Sequence, residues 1–361
     1  MTIHIAENLK RLRKERGLTQ EALADFVGVS YQAVSKWERG DGYPDITLLP
    51  VIAGFFGVTL DDLVGMNEIH NKEKYDEFNL KAGKLASEGK IGEAIATMRE
   101  AMKVFPSDYH FMAELACYLD GYGKTKEERQ ANGEEAIRIS ERILEYCTDT
   151  SIRNDVQANV CFTMSRYGDK EKARKMAESL PNYYKTAQQV LPRFLEGRER
   201  QECCKGGIQM LAYCFYATVR DMLKDDIFTP EERIALRRKV LAMYELVYED
   251  GNYLFTHTRV ADLYEDIAAD LMEIGRLDEA LEHWALAADH AIAFDTLPDS
   301  APSTSLLTSG LVYVKANTTK YSEYNYAHYM LKFMQKDKLF APVREDPRVI
   351  AIMEKLKKVA N

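Results

Sequence analysis

The sequence predicts an all-α protein in which a small five-helix domain precedes an irregular stack of helix hairpins. Apolar residues recur at helical spacing along most of the chain, and one helical pattern returns after 34 residues. No segment alternates apolar and polar residues between turn signals, as a half-buried strand would. The 361 residues suffice for about two domains, which we place at residues 1–66 and 75–361, with a polar linker over 67–74.

Residues 17–40 predict two short helices joined by a tight turn. Thr19 and Ser30 are good N-cap residues, and Gly28 supplies the backbone freedom that such a turn needs. The apolar positions expected to face the core are Leu23, Phe26, Val27, Val34 and Trp37. The residues left on the outer face of the second helix are Tyr31, Gln32, Ser35, Lys36 and Arg39. A helix pair with this polar face suits the width of the DNA major groove. An ordinary surface hairpin is the alternative.

The flanking segments complete a five-helix frame. Ile5, Leu9 and Leu12 form the apolar stripe of a preceding helix. The cations expected on the rest of its surface are Lys10, Arg11, Arg13, Lys14 and Arg16. Pro44 and Asp45 open a further helix, and Thr59 caps a last turn. The apolar face predicted for the further helix consists of Ile46, Leu49, Ile52 and Phe56.

This helix order over residues 1–66 resembles the Cro and lambda-repressor family of DNA-binding domains, also called the xenobiotic-response-element (XRE) family. The patterns L-T-Q-x-x-L-A at Leu18–Ala24 and S-x-x-x-x-S-K-W-E-x-G at Ser30–Gly40 carry the resemblance, which covers less than a fifth of the chain. It implies that Gln20 contacts phosphate or a base. It implies further that Tyr31, Gln32 and Lys36 read base edges, and that Ser30, Arg39 and the 40–43 loop contact backbone phosphates.

The charge distribution agrees with specific rather than non-specific binding of double-stranded DNA. The net charge is −9, and residues 1–66 hold 7 Lys and Arg against 9 Asp and Glu. Neither part is basic, so general attraction to phosphates should be weak. We therefore expect a local positive face, formed by the first helix together with Lys36 and Arg39, and binding that relies on geometry and dimerisation.

Helix hairpins with small residues at fixed places are predicted after the linker. The first set is Phe78, Ala82, Leu85, Gly89, Ala94, Met98 and Ala101, and its first-helix positions recur 34 residues later as Met112, Ala116 and Leu119. The whole set returns as Tyr264, Ala268, Leu271, Gly275, Ala280, Trp284 and Ala287. This pattern resembles the tetratricopeptide repeat. Cys161–Leu180 is a degenerate copy, and an insertion at 123–133 displaces the partner helix of the second copy.

The combination of the two parts resembles the peptide-pheromone-sensing regulators of Gram-positive bacteria, in which a Cro-like domain is fused to tetratricopeptide repeats. In a tetratricopeptide frame the first helix of each hairpin lines the concave face. That frame selects Asn79, Arg166 and Glu265 as ligand-binding residues, and Asn159 and Arg259, which lie close by, are added to them. Amides can hold a peptide backbone, and Arg can hold a carboxylate. A solvated polar face is the alternative for each of them.

Other classes of function find little support. The six cysteines form no C-x-x-C pair and no export signal opens the chain, so we expect reduced thiols in a cytoplasmic protein. Cys203 and Cys204 are either a redox sensor or small apolar residues that fill space on an apolar helix. Residues 121–125 end like a phosphate-binding loop, but Tyr118 replaces its first glycine and no strand precedes it. The seven histidines form no H-x-x-x-H pair. We predict no enzyme, no cofactor, no metal and no membrane span.

Three hypotheses follow from these observations. The first is a homodimeric regulator that reads an inverted-repeat operator and whose stack senses a peptide or small ligand. The second is a constitutive regulator whose stack only oligomerises. The third is a scaffold whose stack docks a partner protein. A ligand-sized groove with convergent polar groups would distinguish the first two, and a co-purifying protein would indicate the third.

Overall fold

The computed structural model describes residues 4–65, 72–183, 186–318 and 322–361. The chain forms two compact units, one running to Leu180 and the other made of Pro181–Thr318 and Ser322–Asn361. The first unit contains the predicted N-terminal domain and the helices that follow it. Residues 67–71 of the predicted linker lie outside the described residues, and residues 72–74 begin a helix. The predicted all-α class is confirmed.

Five short helices open the first unit: α1 Ile5–Glu15, α2 Gln20–Val27, α3 Tyr31–Arg39, α4 Leu49–Phe56 and α5 Leu60–Val64. Thr19 accepts a hydrogen bond from the backbone of Ala22 at 3.1 Å, and Ser30 accepts one from Ala33 at 3.3 Å. Gly28 ends α2 in the left-handed region with a φ of 79°. The predicted helix pair and its turn are therefore confirmed.

The core of this domain is a single apolar cluster whose fully buried members are Leu9, Leu23, Val34, Ile52 and Leu63. Two predicted core positions are wrong: the side chains of Phe26 and Ile46 are 53% and 78% exposed. Ile46 lies in a loop because α4 begins only at Leu49. Asp45 instead accepts hydrogen bonds from the backbone and hydroxyl of Thr47, which form a separate turn.

Three hairpins complete the first unit: α6 Lys72–Ser87 with α7 Ile91–Val104, α8 Tyr109–Leu119 with α9 Lys126–Tyr146, and α10 Thr150–Tyr167 with α11 Lys170–Glu178. Ala82, Ala94 and Ala101 are buried where α6 and α7 meet, because small side chains let two helices approach closely. Gly89 turns the chain between them with a φ of 82°. The predicted repeat over residues 78–106 is therefore seen as a helix hairpin.

The predicted insertion at 123–133 is wrong, because α9 begins inside it. Thr125 accepts a hydrogen bond from the backbone of Glu128 at 3.1 Å, and the Glu128 side chain accepts one from the backbone of Thr125 at 3.4 Å. This capping box starts the helix at Lys126. Gly133, at the end of the predicted insertion, is therefore a helical residue. A Cβ placed there would lie 2.3 Å from the ring of Tyr167 on α10.

The second unit is also helical: α12 Ala187–Val190, α13 Gly197–Met222, α14 Pro230–Val247, α15 His257–Glu273, α16 Leu277–Asp295, α17 Tyr326–Lys336 and α18 Pro347–Lys357. Short 3₁₀ turns occupy Leu191–Arg193, Leu254–Thr256, Lys315–Asn317 and Lys338–Phe340. Trp284 is fully buried in the same core as Ala268, Leu271 and Ala280, and the centre of its ring lies 4.8 Å from that of Phe340. The terminal helix α18 buries Val349 and Leu356 in the same core. No helix in the described part of the chain is long and apolar enough to cross a membrane.

A short β-ribbon interrupts this unit, which the sequence did not predict. β1 Ser300–Pro302 pairs antiparallel with β2 Val312–Val314, with Ala301 opposite Tyr313. The segment between them buries hydroxyl groups instead of apolar side chains: Ser303 and Thr308 are linked at 2.6 Å, and Asp250 accepts from Ser305. Strands of three residues are too short to show an alternating pattern.

We expect Gly133→Ala to destabilise the first unit. The added methyl group would force Tyr167 or α9 to move, and overpacking of this kind costs about 1–3 kcal/mol. Gly83→Ala on α6 is the matched control, because a Cβ there meets nothing within 4 Å and Ala favours a helix by up to about 1 kcal/mol over Gly. Urea denaturation of the full chain measures both. The packing argument is wrong if Gly133→Ala is as stable as Gly83→Ala.

Candidate nucleic-acid interface and ligand face

The outer face of α3 presents polar side chains to solvent. Tyr31, Gln32, Lys36 and Arg39 are exposed, and Ser35 is half-buried. On the opposite side of the helix, Val34 and Trp37 are buried in the domain core. The side chains that were predicted to read base edges therefore share one solvent-facing surface, as the helical spacing indicated.

Three other predicted contact residues already have partners within the domain. Ser30 is exposed, and its hydroxyl caps α3. Gln20 donates from its amide to the carboxylate of Glu38 at 2.8 Å. Arg39 donates to Asp41 at 2.8 Å and to the hydroxyl of Ser35 at 2.6 Å. A phosphate that bound Arg39 would have to compete with Asp41 for the guanidinium.

A buried ion pair joins α1 to α3. Arg13 donates from Nε and Nη2 to the two carboxylate oxygens of Glu38, at 2.6 and 2.8 Å, and from Nη1 to the carbonyl of Leu18 at 2.6 Å. The two side chains are only 11% and 2% exposed. The hydrogen bond to Glu38 raises the pKa of Arg13. The sequence prediction had placed Arg13 on the surface. The signal that could have found the pair is Glu38 itself, since a carboxylate next to buried Trp37 needs a cationic partner.

Two other cations of α1 are paired with carboxylates, which reduces the positive face that the sequence predicted. Arg11 pairs with Glu15 at 3.1 Å, and Lys14 pairs with Glu145 on α9 at 2.9 Å, above the ring of Tyr146. Arg16 donates to the carbonyl of Phe55. Glu15 lies on α1 itself, whereas Glu145 and Phe55 belong to other helices, which the helical pattern of α1 cannot reveal. The exposed cations beside the polar face of α3 are its own Lys36 and Arg39.

The predicted ligand residues divide between the two units, three in the first and two in the second. Asn79 is half-buried on α6. Asn159 and Arg166 lie on α10, where the amide of Asn159 faces the sulfur of Cys117 at 4.0 Å and Arg166 is paired with Asp120. Arg166 is thus already compensated by a carboxylate of its own unit.

The two residues in the second unit lie on α15, one beside aromatic rings and the other beside carboxylates. The guanidinium of Arg259 lies over the rings of Tyr213 and Phe255, 4.8 and 5.5 Å from their centres. Burial, together with the charges of Asp262 and Asp266, raises the pKa of Glu265 to about 8. No cation partner of Glu265 occurs among the residues that the structure describes. Sequence reasoning missed Asp262, which lies between the two and accepts hydrogen bonds from Tyr216 and Tyr326.

The remaining reactive groups form no further site. All six cysteines are free thiols, and Cys203 and Cys204 are half-buried on α13. His257 and His290 face each other with their Nδ1 atoms 2.8 Å apart, and burial lowers the pKa of each to about 4. Residues 121–125 connect α8 to α9, as expected for a loop. Within the described ranges no three His, Cys, Asp or Glu side chains are placed to hold a metal ion.

Comparison with known proteins agrees with the geometry of the first five helices. Residues 9–63 match the helix-turn-helix family, so the N-terminal part of the chain is a helix-turn-helix domain of the predicted XRE type. The HTH-type transcriptional activator BcrR of Enterococcus faecalis is 48% identical over 63 residues, which cover 18% of this chain and 31% of BcrR. The antitoxin PezA of Streptococcus pneumoniae serotype 4 is 35% identical over 77 residues, 21% of this chain and 49% of PezA. The chain therefore spans less than half of the length of these relatives.

Two solved structures resemble the whole chain weakly. One is PlcR of Bacillus thuringiensis in complex with the peptide PapR7 and DNA, with a TM-score of 0.30 and 14% identity over 79% of this chain and 94% of that chain. The other is the apo form of the competence regulator ComR of Streptococcus vestibularis, with a TM-score of 0.31 and 17% identity over 84% of this chain and 94% of that chain.

We expect Glu38→Ala to destabilise the helix-turn-helix domain by about 3–5 kcal/mol, because it leaves the buried charge of Arg13 without a partner. The double variant Arg13→Met/Glu38→Leu removes both charges and should lose much less stability than Glu38→Ala. Asp25→Ala, at an exposed position of α2, is a control expected to stay within about 0.5 kcal/mol. Urea unfolding followed by the fluorescence of Trp37 in a Trp284→Phe background measures this domain. Equal stability of Glu38→Ala and Asp25→Ala would contradict the assignment.

Proposed function

We propose that this chain is a sequence-specific DNA-binding transcription regulator that acts as a homodimer and senses a peptide or another small ligand through its helical repeats. The observation that carries the DNA-binding part is the outer face of α3, where Tyr31, Gln32, Lys36 and Arg39 are exposed together. Amide, phenol and cationic groups on one helix can read base edges in a major groove. The helix-turn-helix match of residues 9–63 supports the same function.

The proposed contacts are of two kinds. Contacts to base edges determine which DNA sequence is bound, and contacts to phosphates position the protein on the DNA. Tyr31, Gln32 and Lys36 would meet base edges, with Ser35 beside them. Gln20 would contact a phosphate or base through its second amide hydrogen, since only one is used by Glu38. The residues assigned to backbone phosphates are Ser30, Arg39 and the loop 40–43.

We propose that two chains bind an inverted repeat with half-sites ~10 bp or a multiple of that apart. One small module buries too little surface for tight operator binding by itself. The surface that supports a dimer is an apolar stripe on α13, where Leu211, Phe215 and Met222 are each about half exposed, at 50%, 45% and 45%. Their spacing of four and seven residues puts them on one side of the helix. A second copy of the same stripe is the partner that would cover it.

The sensing role is supported by the polar side chains of α15. Arg259 could take a carboxylate, and Glu265 gains most from a cationic ligand because it is partly desolvated beside two other carboxylates. Asn79, Asn159 and Arg166 are the corresponding candidates in the first unit. A constitutive regulator would keep its operator affinity in the presence of every ligand. A scaffold would retain a partner protein on purification.

The proposed activity involves no catalysis, cofactor or metal. BcrR, with which the N-terminal part shares 48% identity over 63 residues, is a transcriptional activator. Because operator DNA is the proposed partner, we propose that the protein acts where the chromosome lies, in the bacterial cytoplasm.

We expect Gln32→Ala to cost about 1–3 kcal/mol of operator binding and to relax specificity at one base position. Arg39→Ala should weaken binding to all sequences alike and lower the salt slope by about 1, because it removes one phosphate contact. Duplexes that the wild-type chain selects from a random pool, titrated at several salt concentrations, measure both effects. Gln201→Ala on α13 is the control. Unchanged affinity and specificity in both α3 variants would refute the assignment.

Light scattering of the full chain at micromolar concentration should give the mass of a dimer. The double variant Leu211→Glu/Phe215→Glu should be a monomer, because each carboxylate would have to be buried in the interface without a partner. Leu80→Glu on α6, at a position that is 75% exposed, should remain dimeric. A monomeric wild-type chain, or a double variant that stays dimeric, counts against the α13 interface.

A further inference from the structure

A cavity of about 210 Å³ opens between α13, α14 and α15 in the second unit. Its floor is apolar and consists of Val219, Leu223, Val240 and Leu263. Its rim is charged and consists of Arg220, Lys224, Arg237 and Asp266, with Tyr216 beside them. An apolar floor with a few polar groups at the edge is typical of a small-molecule site.

The charges of the rim are not balanced. Arg237 is engaged by Asp266 at 3.2 Å and by Asp270. Lys224 is paired with Asp221 at 2.7 Å on the solvent side. Arg220 has no carboxylate within ion-pair distance in the described part of the chain, and its guanidinium lies over the ring of Tyr216, 5.5 Å from the centre. The cation at the cavity that makes no direct contact with a carboxylate is therefore Arg220, whose charge acts on Asp262 only at longer range.

The platform under this cation is rigid. Tyr216 is buried, and its hydroxyl donates to Asp262 on α15 at 3.4 Å. Asp262 accepts a second hydrogen bond from Tyr326 on α17. Three helices thus fix the ring that supports Arg220, and stacking on a ring limits the freedom of a guanidinium. A ligand that binds Arg220 therefore loses little free energy in ordering its side chain.

We infer that this cavity binds a carboxylate carried on a short apolar body, which is either a small free acid or the apolar C-terminal residue of a peptide. The apolar body lies on the floor of Val219, Val240 and Leu263, and the carboxylate takes two parallel hydrogen bonds from Arg220. The volume of about 210 Å³ exceeds that of an engineered apolar cavity of ~150 Å³ that binds benzene, so the apolar body of an acid of five or six carbons fits. The consequence for transcription rests on the proposed function, whereas the binding does not.

Hexanoate is the first probe, titrated calorimetrically into the full chain, with hexan-1-ol and hexylamine as matched compounds that lack the negative charge. Hexanoate should bind saturably, and the alcohol and the amine should bind about tenfold more weakly or worse, because they lose the charge-assisted bonds. Arg220→Gln should weaken the binding of hexanoate by a similar factor. Arg198→Gln removes an exposed arginine that pairs with Glu202 on the same helix and should change nothing.

Trileucine and its C-terminal amide separate the two sources of the carboxylate. Preference for trileucine over its amide indicates a peptide terminus, and binding of hexanoate alone indicates a free acid. Leu223→Trp, which fills the cavity from a half-buried position, should abolish binding of either probe. The inference is overturned if neither probe binds saturably, or if binding survives both Arg220→Gln and Leu223→Trp.

Operator binding, measured in parallel, distinguishes this inference from the proposed function. If a probe binds through Arg220 and operator affinity stays the same, the cavity is a ligand site and the sensing role through it is wrong. If a peptide alters operator affinity equally in the wild-type chain and in Arg220→Gln, the sensing role stands and this cavity is not the site.

Discussion

The ion pair between Arg13 and Glu38 is the interaction on which the DNA-facing part of the molecule depends. It joins α1 to the last turn of α3, and its remaining donors and acceptors hold the carbonyl of Leu18 and the amide of Gln20 at the start of α2. Apolar packing around Trp37 allows small rotations of α3, whereas a bidentate pair has one geometry. A misaligned pair would leave a buried charge without its partner. The ion pair in the interior of the domain therefore fixes the orientation of the polar face of α3. A surface that reads bases needs that rigidity.

Local signals made most of the first domain and the repeats predictable. Thr19, Ser30 and Gly28 act on the backbone within a few residues, so their effect does not depend on the rest of the fold, and the structure has the helix ends at those positions. The small residues of the hairpins, such as Ala268 and Ala280, and the large Trp284 between them indicate close helix packing in the same way. Such features can be inferred from one sequence because the residues that determine them lie close in sequence to the helix ends and contacts that result.

The features that were missed depend on residues far apart. Arg13 lies 25 residues from Glu38, and Lys14 lies 131 residues from Glu145, so nothing in α1 indicates that these two cations are neutralised. The error over residues 123–133 has the same origin, since Gly133 packs against Tyr167 of another helix. The cavity residues likewise come from three helices. Arg220 looks like any surface cation until Tyr216 and Asp262 are seen to hold it over an apolar floor.

The two faces of α13 give the proposed sensing role a physical route. The residues that line the cavity, from Tyr216 to Leu223, alternate along the same two turns with Phe215 and Met222 of the exposed stripe. A helix moves as one body, so a ligand that shifts α13 when its carboxylate binds the pre-ordered Arg220 also shifts the stripe against a second copy in the proposed dimer. Such a ligand acts only through the difference in its affinity for the two dimer geometries. A difference of ~1–3 kcal/mol changes operator affinity by about 5–150-fold, and the bidentate contact of one carboxylate is of that size. In the proposed function, one arginine without a direct carboxylate contact is therefore sufficient to couple a small acid to the geometry of the dimer.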